Sequence, residues 1–177
     1  KFNREVKVYS KQTNEEELIS NILQSEKYNI EDRRNENVYT IDPEGSKDLD
    51  DGFSITELGN GTFKVSIYIA NVYVMLDFLD MWGNLTDRVS TIYLPEDRRT
   101  LLPDLLSDNF CSLLENKERV SFCMEFCYNI NENKINDSSI CFFNAIINIK
   151  HNYSYEQQDL LNNTDYQNLY KITKAIN

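Results

Sequence analysis

The stretch from Val38 to Ser54, V-Y-T-I-D-P-E-G-S-K-D-L-D-D-G-F-S, constrains this chain more than any other. Four aspartates, Asp42, Asp48, Asp50 and Asp51, fall within ten residues. Val38, Tyr39 and Ile41 before them, and Phe53 and Ile55 after them, predict a strand on each side, with Pro43, Glu44 and Gly45 as the turn. Carboxylates crowded onto one loop repel by about 4 kcal/mol per close pair near a surface, and Lys47 is the only cation within the loop. Two readings stand side by side: a solvated acidic turn, or an oxygen-rich cluster that takes a hard divalent cation such as Mg²⁺. A calcium EF-hand fits badly. Counted from Asp48, Gly52 comes one position too early, and Gly59 stands where the bidentate glutamate is needed.

The 177 residues, 41% of them hydrophobic, suffice for one cored domain. A net charge of −11 opposes self-sufficient nucleic-acid binding, which is usually done by basic surfaces. Cys111, Cys123, Cys127 and Cys141 form no C-x-x-C, and His151 is the only histidine. A zinc centre is therefore not expected, and a reducing intracellular compartment, cytoplasmic or nuclear, is. No apolar run has membrane-spanning length.

Thr13 to Glu16 is a capping box opening a helix with Leu18, Ile19, Ile22 and Leu23 on one stripe. Gly59-Asn60-Gly61 joins the predicted strands Phe53 to Leu58 and Thr62 to Ala70 as a hairpin. Phe63, Val65, Ile67 and Ile69 share one face of the second strand, which is expected to be core. Val72 to Met81 suits a short helix or buried turn, with Trp82 a packing residue. Tyr93 falls in an irregular apolar segment, and Leu101 to Leu114 reads as a buried turn and short helix. Val120 to Ile130 and Ser138 to Lys150 read as long antiparallel strands joined by the polar Asn131 to Asp137. Ser154 and Asp165 are expected to cap two helices, the second with Leu169, Ile172 and Ile176 on one face. The order implies an α+β fold, a largely antiparallel sheet or open barrel with flanking helices.

Thr40 to Gly52, T-I-D-P-E-G-S-K-D-L-D-D-G, resembles the signature T-I-D-x-x-x-x-x-D-x-D-D-A of the RNB-domain exoribonucleases, a family that includes ribonuclease II, ribonuclease R and the catalytic subunit of the eukaryotic exosome. All four aspartates match, and Gly52 replaces the final alanine. T-I-Y-L-P (Thr91 to Pro95), L-L-P-D-L-L-S-D-N-F-C-S-L (Leu101 to Leu113), E-R-V-S-F-C-M-E-F (Glu118 to Phe126) and Y-S-Y-E-Q (Tyr153 to Gln157) follow in the family's order. The resemblance runs from about Ile30 to Leu161. Tyr68-Ile-Ala-Asn71 stands where the family often has H-I-A-D, a departure read as local repacking.

The resemblance implies a partial RNB catalytic domain, with residues 1–29 an N-terminal helical segment and 30–177 the N-terminal half of the domain. It implies a hydrolytic, Mg²⁺-dependent 3′→5′ exoribonuclease of the ribonuclease II type, with Mn²⁺ the alternative ion, that degrades single-stranded RNA to nucleoside 5′-monophosphates. Asp42, Asp48, Asp50 and Asp51 would be the catalytic residues: Asp42 and Asp51 on one ion, Asp50 on a second ion or the attacking water, Asp48 ordering the cluster. Tyr93 would stack near the 3′-terminal nucleotide. Arg98 and Arg99, beside Glu96 and Asp97, are read as a surface ion-pair cluster. The chain starts at Lys1 and contains no counterpart of the family's later S-x-x-R-R-Y-like arginine segment, so it is expected to be a fragment, inactive alone, of a longer protein acting in an exosome-like or other RNA-decay complex. The alternatives are a degenerate, non-catalytic RNB module that scaffolds or binds RNA, and a plain divalent-cation-binding domain.

Overall fold

The computed structural model describes residues 14–84, 92–94, 98–99, 101–102, 104 and 106–176, with backbone alone at 84, 93, 98 and 99. Helix α1 (Glu15–Gln24) buries Leu18, Ile19 and Ile22, the expected stripe, and puts Glu15, Glu16 and Glu17 in its first turn, where the helix dipole favours negative charge. Its N-cap is Asn14, which makes no side-chain capping bond; Thr13 lies outside the described residues. Strands β1 (Ile30–Asp32), β2 (Val38–Asp42), β3 (Asp51–Gly59) and β4 (Thr62–Ala70) follow. Gly59, Asn60 and Gly61 all take positive φ in the β3–β4 hairpin, the conformation that the G-N-G triplet anticipates.

Helix α2 (Val72–Phe78) buries Val74, Met75 and Leu76. Strands β5 (Ile92–Tyr93) and β6 (Arg98–Arg99) pair as a small separate sheet, so Ile92 and Tyr93, expected in an irregular segment, are paired strand. The flanking residues 85–91 and 95–97 lie outside the described residues. A π-helical turn, Leu106–Phe110, stands where a buried turn and short helix are expected. Strands β7 (Glu118–Asn129) and β8 (Lys134–Ser154) then run antiparallel, followed by α3 (Gln158–Asn162) and α4 (Thr164–Ile176). The expected polar connector shrinks to residues 130–133, because Lys134 to Asn136 already pair with Asn129 to Cys127.

The main sheet has the order β1-β8-β2-β3-β4-β7, and β7 also pairs with β8. The pairings β2-β3-β4-β7-β8-β2 thus close on themselves. The long β8 makes this possible, meeting β7 along its first part and β2, in parallel, at Ile149 to Ser154. The α+β expectation holds, with parallel β1–β8 and β2–β8 pairs added.

Two apolar clusters lie on opposite faces of β4 and β7. One joins α1, α2, Val38, Leu49, Tyr68, Leu113 and Cys123; the other packs Ile172 of α4 against Ile55, Phe63, Val65 and Tyr128. The β4 face with Phe63 and Val65 is core only as far as α4 reaches. Beyond it Ile69 is 51% exposed, beside exposed Phe122 and Phe142. Ile176 is likewise exposed, and α4 is capped by Asn163, whose Oδ1 accepts from Tyr166 N, rather than by Asp165. Gln157, not Ser154, is the N-cap of α3. Trp82 is 43% exposed, its Nε1 donating to Asp77 and its ring tilted against Tyr73.

Candidate active site

Asp42 ends β2 and Asp51 begins β3, so the acidic loop bridges two neighbouring strands, as their flanking β patterns predict. The strands meet at Tyr39 opposite Phe53. Gly52 lies close beside this contact: a Cβ there would stand 2.9 Å from Tyr39 O and 3.4 Å from Val38 Cγ1. The absence of a side chain in D-D-G therefore lets β3 approach β2 where Asp51 begins the strand.

Between these ends, the loop is held by its backbone. Leu49 is buried in the core cluster, while Asp50 and Asp51 on its far side remain exposed and Asp48 is half-buried. Leu113 N donates to Leu49 O at 2.8 Å, and Ala70 N donates to Asp50 O at 2.8 Å. The hydroxyl of fully buried Ser112 accepts from Leu49 N at 3.0 Å and donates to Lys47 O at 2.8 Å. These anchors come from two distant segments, the end of β4 and Ser112–Leu113. The match L-S-D-N-F-C-S-L covers the second, but sequence spacing carries no sign that it holds the acidic loop.

Electrostatics couple the carboxylates. Burial pushes the Asp42 carboxyl above the ordinary aspartate range; a Thr40 hydrogen bond opposes this, and the charges of Asp51 and Asp48 add to it. Partial desolvation raises Asp50 as well, although the residue is exposed to solvent, with Asp48, Asp51 and Asp42 adding to the shift. Asp42 Oδ2 is buried without a hydrogen-bond partner among the described residues. Among the described residues, no three Asp, Glu, His or Cys side chains converge as they stand on a single ion position. The donor set still fits a hard divalent cation: it is all oxygen, and one buried oxygen has no donor among the described residues. Asp42 and the exposed Asp50 and Asp51 could hold such an ion after side-chain rotation.

Tyr93 has its backbone opposite Arg98 in the β5–β6 pair; its side chain, and those of Arg98 and Arg99, lie outside the described residues. The departure at Tyr68 to Asn71 is absorbed by packing. Tyr68 is fully buried with its hydroxyl 3.2 Å from Ser54 Oγ, and burial pushes it up to about 12. Asn71 Oδ1 accepts from Val74 N at the start of α2, and its Nδ2 donates to Asn144 Oδ1. Neither side chain makes a bond to the acidic loop among the described residues.

A closed ring of strands with an acidic interstrand loop at one end defines the class: an α+β domain with a carboxylate-lined site. The model of the RNB domain matches residues 30–176, and the chain belongs to that family. The exosome complex exonuclease RRP44 of Mus musculus is 33% identical over 144 residues, which cover 78% of this chain and 14% of that protein. RNase R of Mycoplasma genitalium, solved in complex with ribose-methylated single-stranded RNA, matches with a TM-score of 0.59 and 24% identity, covering 92% of this chain and 27% of that one. Yeast Ssd1, a pseudonuclease, matches with a TM-score of 0.67 and 19% identity, covering 85% of this chain and 19% of that one. At such identities these two likenesses show the fold alone. The chain spans between 10% and 25% of the length of the curated relatives it matches.

Proposed function

We propose that the protein to which this chain contributes hydrolyses RNA from the 3′ end in a divalent-metal-dependent way, releasing nucleoside 5′-monophosphates, and that the loop from Asp42 to Asp51 is its metal-binding centre. The observation that carries this reading is the buried Asp42 Oδ2, without a partner among the described residues, beside three further carboxylates. A loop that raises the proton affinity of Asp42 and Asp50 calls for positive charge. A divalent cation bound there supplies charge beside the scissile phosphate and lowers the pKa of the attacking water. Asp42 and Asp51 take the direct ligand roles, Asp50 orients and deprotonates the water, and Asp48 keeps the cluster ordered. Water adds to phosphorus, the bond to the 3′ oxygen breaks, and the shortened RNA keeps a 3′ hydroxyl. Tyr93 stacks on the terminal base, a contact that tolerates any sequence. The exosome membership of the mouse relative and the single-stranded RNA bound by Mycoplasma RNase R support RNA as substrate and an RNA-decay complex as setting.

The test is a 5′-labelled unstructured RNA incubated with the native full-length protein and Mg²⁺, then resolved by length. A ladder shortening from the 3′ end is expected. Asp50→Asn is expected to abolish turnover with RNA binding intact, and Tyr93→Ala to lengthen the residual end product. The 177-residue chain alone is expected to be slower by ~10²–10³, the typical worth of one missing electrostatic group, because the family's arginine segment is not within it. A second reading, a non-catalytic RNB module, is favoured by the net charge of −11 and by carboxylates that do not yet converge. RNA that stays intact while bound by the full-length protein would leave that reading standing.

A further inference from the structure

We infer that Ser112 is a positioning residue that sets the path of the acidic loop, and that Arg119 holds Ser112 in place; the inference rests on the metal-centre reading above. Ser112 is fully buried and uses its hydroxyl twice on that loop, accepting from Leu49 N and donating to Lys47 O. Both contacts are to the backbone immediately around Asp48, so the hydroxyl fixes the chain and not a single rotamer. Leu113 N repeats the attachment one residue later, on Leu49 O. The segment that carries these groups is clamped in turn. Arg119 is 2% exposed; its Nε donates to Ser112 O at 2.7 Å and its Nη1 donates to Glu118 O at 2.7 Å. The same Nη1 pairs with Glu15 Oε1 of α1 at 2.5 Å, and Nη2 reaches Asn109 Oδ1 in the π-helical turn.

A buried guanidinium with acceptors on α1, on the start of β7 and in the π-helical turn is a rigid reference point. Ser112 carries that rigidity to the acidic loop, whose own side chains repel one another. Without the hydroxyl, Leu49 N and Lys47 O lose their shared partner and repulsion is free to spread the aspartates. Outer groups that orient metal ligands typically change metal affinity by 10–100-fold.

The test uses the 177-residue chain with Ser112→Ala, and Ser112→Cys as a near-isosteric second variant should the alanine fail to fold. Amide hydrogen exchange is read by NMR without metal, and Mn²⁺ uptake is read from the free-ion EPR signal. Expected are exchange at Leu49 faster by about tenfold or more, unchanged protection at Val65 to Ile67 in β4, and Mn²⁺ affinity weaker by about tenfold or more. Asp50→Asn serves as the control that weakens Mn²⁺ uptake while leaving Leu49 exchange alone. Leu49 exchange at the wild-type rate in the variant would overturn the inference, as would faster exchange with unchanged Mn²⁺ affinity. Either result leaves the metal centre intact. A wild-type chain that takes up no Mn²⁺ overturns the metal centre and the positioning role with it.

Discussion

Asp50 and Gly52 act within three residues of each other, one through charge and one through the lack of a side chain. Partial desolvation and three neighbouring carboxylates raise the exposed Asp50, so the folded chain holds that proton more tightly than the unfolded chain does. The sign follows by linkage. The penalty for ionising Asp50 is absent below the ordinary aspartate value, grows as pH rises through the folded pKa, and is fully present at neutral pH. In metal-free buffer, Asp50→Asn is therefore expected to stabilise the chain at pH 7 and to have no effect near pH 3. Solvent screening keeps the gain to ~0.5–1 kcal/mol, about 1–4 °C in melting temperature for a chain of this size. Melts at the two pH values in chelator check it; an equal gain at both would remove the electrostatic cause. Gly52→Ala has the opposite sign. Its Cβ would meet Tyr39 O at 2.9 Å, a backbone atom that moves only with β2. Overpacking of this kind costs ~1–3 kcal/mol, measurable by urea unfolding, and the shift of β3 is expected to weaken divalent-ion binding through Asp51.

At the scale of elements, the connector from β1 to β2 is fastened to the sheet by charge. Arg33 pairs with Glu31, Glu36 and Glu125, and lies over the Phe143 ring at 4.7 Å. Lys64 of β4 bridges Glu36 and Glu125, and Ser66 Oγ donates to Glu125. Burial works to raise Glu36, but Lys64 and Arg33 outweigh it and hold its carboxyl below the ordinary glutamate range. A depressed carboxylate contributes stability above its unfolded pKa and loses it as pH falls through the folded one. Arg33→Ala leaves Glu36 and Glu125 with Lys64 and strips Glu31 of its Arg33 pair. It is expected to cost ~1.5–3 kcal/mol at pH 7, with the cost shrinking in acid as pH falls through the lowered Glu36 pKa. Urea unfolding of both chains at pH 7 and pH 3 measures it. A cost that does not change with pH would show that Arg33 acts through packing on Phe143 instead.

For the whole molecule, the ring of strands brings an acidic loop, a buried arginine and the four described helices into one unit, so an ion bound at the loop would stabilise the entire fold. Stabilisation by a ligand selective for the native state is RT ln(1 + [L]/Kd), about 2.7 kcal/mol at a hundredfold excess, or roughly 5–10 °C here. Millimolar Mg²⁺ or Mn²⁺ is expected to raise the melting temperature by that order, and Asp50→Asn to reduce the gain. A melting temperature indifferent to either ion would mean that the chain assembles no metal centre by itself.

What could be read from the sequence alone was local. Alternating Phe63, Val65, Ile67 and Ile69 specify a strand because side-chain direction has period two, and G-N-G specifies the hairpin because only such residues accept three consecutive positive φ values at little cost. The aspartate spacing, flanked by strand patterns, located the candidate site and the family resemblance. Nothing local could say that β8 would reach past β7 to pair with β2, that α4 would stop short of Ile69, or that Trp82 would stay at the surface. Those outcomes depend on where distant elements lie. The same holds for Ser112 and Arg119, whose polar groups could as well have faced water; burial gave them partners on the acidic loop and on α1. Residue type and periodicity settle which segments become strands and where the charge collects. Only closure of the sheet settles which backbone groups are left to hold that charge in place, because a buried N–H or C=O must find its partner wherever the fold supplies one.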